Sequence, residues 1–81
     1  MSCNWRAEVD AARLESQARA WDLTRREGEV FGLLVRGLAN KEISAALDTS
    51  VKTCESHVSS VLRKAGAESR AVLIARFWAG R

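Results

Sequence analysis

Few groups in this chain can do chemistry, and most of them lie within one short stretch. The only histidine, His57, stands three places after Cys54 in TCESH. On a helix that spacing brings a thiol and an imidazole within reach of each other. Such a pair would be a nucleophile with its base, but no third orienting group and no oxyanion donors can be proposed beside it. Cys3, Cys54 and one histidine also fall short of a four-ligand metal site unless carboxylates join in. A buried reduced thiol beside a surface histidine is the simpler reading. No enzyme, metal or cofactor is expected. The same stretch carries a different pattern. At 100° per residue, Lys52, Ser56, Ser59, Ser60 and Arg63 gather on one side of a helix, two cations with three small hydroxyls between them. Solvated helix faces usually carry long Glu and Lys side chains, which favour both helix and solubility. Short hydroxyls between cations suit a face that another, anionic surface must approach closely.

Five helices must hold that row in place. The first, over residues 5–20, places Ala7, Ala11, Leu14, Ala18 and Trp21 on one stripe, flanked by Glu8, Arg13, Glu15 and Arg19. Thr24 followed by Glu27 is a capping box, so a second helix starts there, with Val30, Phe31, Leu34 and Leu38 as its buried face. Gly37 suits its end, and Gly28 and Gly32 inside it cost about 1 kcal/mol each against alanine. Asn40 is expected to cap a short helix over 41–47 that buries Ile43, Ala46 and Leu47. Asp48 and Thr49 break the pattern, and Ser50 caps a helix over 51–65 closed by Gly66. Its core stripe is Val51, Cys54, Val58, Val61, Leu62 and Ala65. Ser69 caps the last helix, residues 70–79.

The totals agree with an all-α fold in one domain. The chain has 81 residues, 47% hydrophobic and 28% charged, with no proline, no tyrosine and few β-branched residues. The apolar run AVLIA is far too short to span a bilayer, and MSCNWRAEVD has neither a basic nor an apolar signal region. A cytoplasmic protein without membrane contact is expected, and reduced cysteines fit that compartment. The net charge of +3 is uneven: residues 1–23 carry −1 and residues 24–81 carry +4. An anionic partner for the second part follows.

A short helix, a brief turn and a longer helix with an exposed row of small donors and cations is the helix-turn-helix arrangement. An α-helix of this kind fits the major groove, where small side chains let its backbone approach base edges. Residues 23–75 add a specific likeness. LTRREGEV, GLANKEISAAL, the S-x-K-T step at Ser50–Thr53, His57 and LRKAGAESRAVL follow in order and without gaps. This series resembles the DNA-binding domain of the LuxR/FixJ family of bacterial transcription regulators. The resemblance implies a four-helix LuxR-type helix-turn-helix domain over 23–81, preceded by an extra N-terminal helix within 1–22. It implies that the third helix of that domain enters the major groove of double-stranded DNA and that the fourth commonly forms a dimer contact.

The likeness assigns roles residue by residue. Lys52, Glu55, Ser56 and Ser59 fall where the family's recognition helix faces base edges, and Asn40, Lys41, Thr53, Arg63 and Lys64 fall where phosphates are held. Elementary chemistry agrees for most of these: helix N-termini attract phosphate, and cations add affinity without reading sequence. His57, mid-helix at a face border, is read as a packing or capping residue. Three departures stand out. Arg25 replaces the usual proline, Gly28 and Gly32 loosen their helix, and Glu55 puts an acid on the recognition face. That acid either accepts from a cytosine N4 or weakens DNA affinity.

The last helix has two apolar sides, Ala71, Ile74 and Trp78 on one and Leu73 and Phe77 on the other. One side packs inward. The other is covered by a second copy, for which Leu73 and Phe77 are the candidates, or by the N-terminal helix through Trp5, Leu14 and Trp21. The expected function is a transcriptional regulator, a homodimer on an inverted repeat, with RNA polymerase as a further partner and no small-molecule site in this chain. It is either a single-domain regulator or the C-terminal part of a longer one. The alternatives weighed are a helical module that keeps the fold but binds protein, and a sigma-factor region, which the LTxREGEV and GLxNKEI spacing disfavours.

Overall fold

The computed structural model describes the backbone of residues 3–79 and the side chains of residues 11–79. It contains five helices, α1 (Cys3–Ala20), α2 (Arg25–Leu34), α3 (Asn40–Ala46), α4 (Val51–Ala65) and α5 (Arg70–Ala79). The expected positions of Cys3, Trp5, Ala7 and Glu8 concern side chains outside the described residues.

Local signals fix most boundaries. Thr24 starts α2 through a reciprocal pair of bonds: its hydroxyl accepts from the Glu27 N–H at 3.2 Å, and the Glu27 carboxylate accepts from the Thr24 N–H at 2.9 Å. The Ser50 hydroxyl accepts from the Thr53 N–H at 3.0 Å at the head of α4, and Gly66 closes that helix at φ +70°, a left-handed conformation natural for glycine. The Ser69 hydroxyl accepts from the Val72 N–H at the start of α5.

Two boundaries differ from expectation. Helix α2 ends at Leu34 with Val35 as its cap, so Leu38 lies beyond it and Gly37, at φ +88°, sits in the turn that follows. The second concerns α3. Asn40 is the first residue of α3, and Ala39 is its cap. Alanine has no capping oxygen, so the Glu42 carboxylate supplies the reciprocal bond, accepting from the Ala39 N–H at 2.8 Å. Asn40 is thereby free for other work, and its Oδ1 accepts from Arg70 at the head of α5.

The core lies where α2, α4 and α5 meet over α3. Val30, Phe31, Leu34, Val35, Ile43, Cys54, Val58, Val61, Leu73 and Phe77 are buried there. A chain of aromatic rings runs through it, with Trp21 edge-on to Phe31 at 5.2 Å, Phe31 to Phe77 at 5.7 Å and Phe77 to Trp78 at 5.0 Å. The Trp78 indole N–H donates to the Val35 carbonyl at 2.8 Å, tying α5 to the end of α2.

Several core assignments change. Leu73 and Phe77 are 1% and 5% exposed, so they form the inward side of α5 and are not available to a second copy. The outward side carries Ala71 and Ala75, with Ile74 and Trp78 half-buried beside them. Ala46 is exposed, and Ser44 takes the inward place, its hydroxyl satisfied by the Lys41 carbonyl at 2.8 Å. Val51 is 41% exposed, because the first turn of α4 projects beyond the core.

The N-terminal helix does cover part of the core edge. Leu14, Ala18 and Trp21 are half-buried, while Ala11 is exposed. Arg13, expected on a solvated flank, instead lies over the Phe77 ring with its guanidinium carbon 4.0 Å from the centroid, and it donates to the Phe77 carbonyl. A cation on the last carbonyls of α5 also suits that helix's dipole.

Gly28 and Gly32 face α1. A methyl group at Gly28 would meet Ala18 Cβ at 3.8 Å, and one at Gly32 would meet Leu14 Cδ1 at 3.8 Å, both ordinary contact distances. Gly28→Ala and Gly32→Ala should therefore each stabilise the protein by about 1 kcal/mol in urea unfolding, through helix propensity and a less disordered unfolded chain. A loss of stability in either variant would show that α1 and α2 require the closer approach that glycine permits.

Candidate nucleic-acid interface

The turn between α3 and α4 is short because its backbone bonds are local. The Leu47 N–H donates to Ile43 O at 3.0 Å and the Thr49 N–H to Ser44 O at 2.9 Å, with Asp48 in the left-handed region at φ +54° between them. Aspartate tolerates that conformation better than most residues. The chain then re-enters helix at Ser50, and α4 packs on both α2 and α3.

Burial of Cys54, Val58 and Val61 fixes the rotation of α4. On its outward face Lys52, Glu55, Ser56, Ser59 and Arg63 are all exposed. Lys52, Glu55, Ser56 and Ser59 make no side-chain hydrogen bond or ion pair among the described residues. Arg63 reaches the Ser60 hydroxyl only at 3.4 Å. Thr53 is exposed, with its hydroxyl 2.9 Å from that of Ser50. Lys41 is exposed on α3, and Asn40 is half-buried at the head of that helix. The structure thus brings Lys52, Glu55, Ser56, Ser59 and Arg63 together on one open face, with Thr53 at its border. Because Oδ1 of Asn40 accepts from a guanidinium, its amide nitrogen is the group left to donate.

Two members of the sequence-derived set lie elsewhere. Ser60 is half-buried and donates to Glu27 Oε2 at 2.6 Å. The Lys64 ammonium bends toward α2, where it donates to Glu27 Oε1 at 2.8 Å and to the Asp22 carbonyl at 3.3 Å. Lys64 is thus engaged by Glu27, with 31% of its side chain still exposed. The cause is a carboxylate on α2 that a helical wheel of α4 alone does not contain. Arg70, which sequence reasoning did not single out, is half-buried on Asn40; no spacing rule links residues thirty apart, so nothing in the sequence marked it.

Glu27 is only 7% exposed yet charged. Bonds from Lys64, from the Ser60 hydroxyl and from the Thr24 N–H lower its pKa from 4.5 to about 2, against the opposing effect of burial. Burial pushes the Cys54 thiol the other way, upward, which keeps it protonated and inert beside the half-buried His57. Among the described residues no group of three His, Cys, Asp or Glu side chains could hold a metal ion, and no helix is long and apolar enough to cross a membrane.

Residues 22–77 match the family described as bacterial regulatory proteins, luxR family. The match covers well over half of the chain, and the protein belongs to that family. Among its relatives, the response regulator Rre1 of Synechocystis is 47% identical over 53 residues, 65% of this chain and 23% of the relative. The spore germination protein GerE of Bacillus subtilis is 46% identical over 48 residues, 59% of this chain and 65% of the relative. The probable transcriptional regulator ycf29 of Porphyra purpurea is 42% identical over 52 residues, 64% of this chain and 25% of the relative. The matched segment thus spans about a quarter of the length of Rre1 and ycf29. No solved structure matches the chain. The family likeness read from the motifs is borne out, as is an all-α helix-turn-helix fold, and the family is one of regulators rather than enzymes.

The Glu27 shift has a pH consequence with a definite sign. Its carboxyl binds protons more weakly when folded, so its contribution is complete above pH 4.5 and disappears as pH falls toward 2. The contribution is on the order of 3 kcal/mol. In urea unfolding, the stability gap between the wild-type protein and Glu27→Gln should therefore narrow steadily over that acid range. A gap independent of pH would rule out the carboxylate charge as its source.

Proposed function

We propose that this chain is a sequence-specific DNA-binding module of a transcriptional regulator, with α4 as the helix that enters the major groove. The observation that carries the reading is the open row on α4: Lys52, Ser56, Ser59 and Arg63 are exposed, and of these only Arg63 has a side-chain bond, a long one to Ser60 of the same helix. Relatives named as transcriptional and response regulators support the same class.

In this reading Lys52, Glu55, Ser56 and Ser59 approach base edges, where Lys donates to guanine acceptors, Ser serves as donor or acceptor, and Glu accepts from cytosine N4. Asn40, Lys41, Thr53 and Arg63 hold phosphates, Asn40 through its amide nitrogen. Residues 1–22 form an extension whose helix leans on α2 and the end of α5, and residues 23–81 form the DNA-binding domain. Two copies associate through the outward side of α5, around Ala71 and Ala75, and place their α4 helices on an inverted repeat about one helical turn apart. Such a regulator works in the cytoplasm and acts on RNA polymerase at promoters.

Selection of bound sequences from a random duplex pool tests this directly. The wild-type protein should enrich one motif, Ser59→Ala, Glu55→Gln and Lys52→Ala should change it, and Arg63→Ala should weaken binding to all sequences and flatten its salt dependence by about one unit of log–log slope. Failure to enrich any sequence, with affinity indifferent to salt, would contradict DNA binding and favour a protein partner. For the dimer, sedimentation of Ala75→Glu should show a folded monomer where the wild-type protein is a dimer. An unchanged mass would move the contact off α5.

A further inference from the structure

We infer that Lys64 serves DNA binding without touching DNA: together with Ser60 it locks α4 to the Glu27 carboxylate and so sets which face of α4 is turned outward. The inference rests on the reading of α4 as the recognition helix. Three independent pieces of geometry converge on one carboxylate. Glu27 is fixed on the α2 side by its capping bond to the Thr24 N–H at 2.9 Å. Each of its oxygens then takes a donor from α4, Oε2 from Ser60 at 2.6 Å and Oε1 from Lys64 at 2.8 Å. Lys64 also reaches the Asp22 carbonyl at 3.3 Å, which joins the α1–α2 turn to the same point.

Ser60 and Lys64 are one turn apart on α4, so they define a line along its border facing α2. Two anchored points on one side of a helix fix its rotation about its own axis. One residue's worth of slip, about 100°, would turn Ser56 and Ser59 away from the groove. Apolar contacts at Cys54, Val58 and Val61 hold α4 in place but are tolerant of small rotations, because dispersion is not directional. A hydrogen-bonded charge pair with 9% of the acid side chain exposed is directional and leaves an unpaired buried charge when it slips. Lys64 is thus a positioning residue, and Arg63 beside it is the charge left for phosphate.

The salt dependence of binding separates the two roles. Wild type, Lys64→Met and Arg63→Met would be titrated with the labelled duplex that the wild-type protein selects, over a range of salt, after circular dichroism shows each to be folded. Arg63→Met should lose about one unit of slope, as removal of a phosphate contact does. Lys64→Met should weaken binding about tenfold at every salt concentration with the wild-type slope, and Glu27→Gln, which lies off the DNA face, should weaken it to a similar extent. The double variant should be no weaker than the weaker single one. A loss of slope in Lys64→Met would mean a phosphate contact, and unchanged affinity in folded Lys64→Met would mean a role in stability alone; either result overturns the inference. Should Lys64→Met fail to fold, Ser60→Ala removes one anchor without any change of charge. It should weaken binding with the slope preserved, and wild-type affinity in that variant would overturn the lock. A wild-type protein that binds no duplex would instead refute the functional reading itself, a failure seen before any variant is made.

Discussion

A single buried carboxylate organises this small domain. Glu27 stands at the third position of α2, where its side chain completes the capping box with Thr24, and its two oxygens also receive Ser60 and Lys64 from α4. Burying a charge is expensive unless every lone pair finds a donor. Here the donors come from the backbone of the helix start, from a hydroxyl and from an ammonium, so the cost is offset only when α2 and α4 stand in one relative orientation. That requirement converts a local capping signal into a tertiary constraint.

The rest of the architecture is arranged around that junction. Helices α3 and α4 are short and could not persist alone, so their geometry is imposed by packing against α2. The aromatic chain from Trp21 through Phe31 and Phe77 to Trp78 gives the other edge of α2 its rigidity. Arg13 closes that edge by lying across Phe77, so the N-terminal helix acts as a cover for a core that α2, α4 and α5 leave partly open. With the interior occupied in this way, the outward side of α4 has no role in holding the fold. Its serines sit there at some cost in helix propensity.

Much of this could be read from the sequence, and the reason is locality. Thr24 with Glu27, Ser50, Gly66 and Ser69 act on backbone groups within a turn of themselves, so their spacing suffices to place the helix ends. The inward stripe at Cys54, Val58 and Val61 follows from periodicity in the same way. What periodicity lacks is knowledge of the opposing element. Ser60 and Lys64 read as outward or border positions on a wheel of α4, and only the position of Glu27 pairs them with α2. Leu73 and Phe77 form one of two apolar sides on α5, and which side faces the core is decided by Phe31, a residue far away in the chain. Val51 fails for a geometric reason, since the first turn of α4 extends past the core it would have joined. Ala39 takes the capping place from Asn40 because Glu42 supplies the bond in reverse, a capping box with its hydroxyl half missing.

The claim on which the whole reading turns is that the outward face of α4 is the surface that meets DNA. Amide chemical-shift mapping on the labelled protein, titrated with a short mixed-sequence duplex at low salt, tests it most directly. The account requires the largest saturable shifts at Lys52, Glu55, Ser56, Ser59 and Arg63, with smaller ones at Asn40 and Lys41. Shifts confined to α1 or to the outward side of α5, with the α4 row unmoved at saturating duplex, would contradict it.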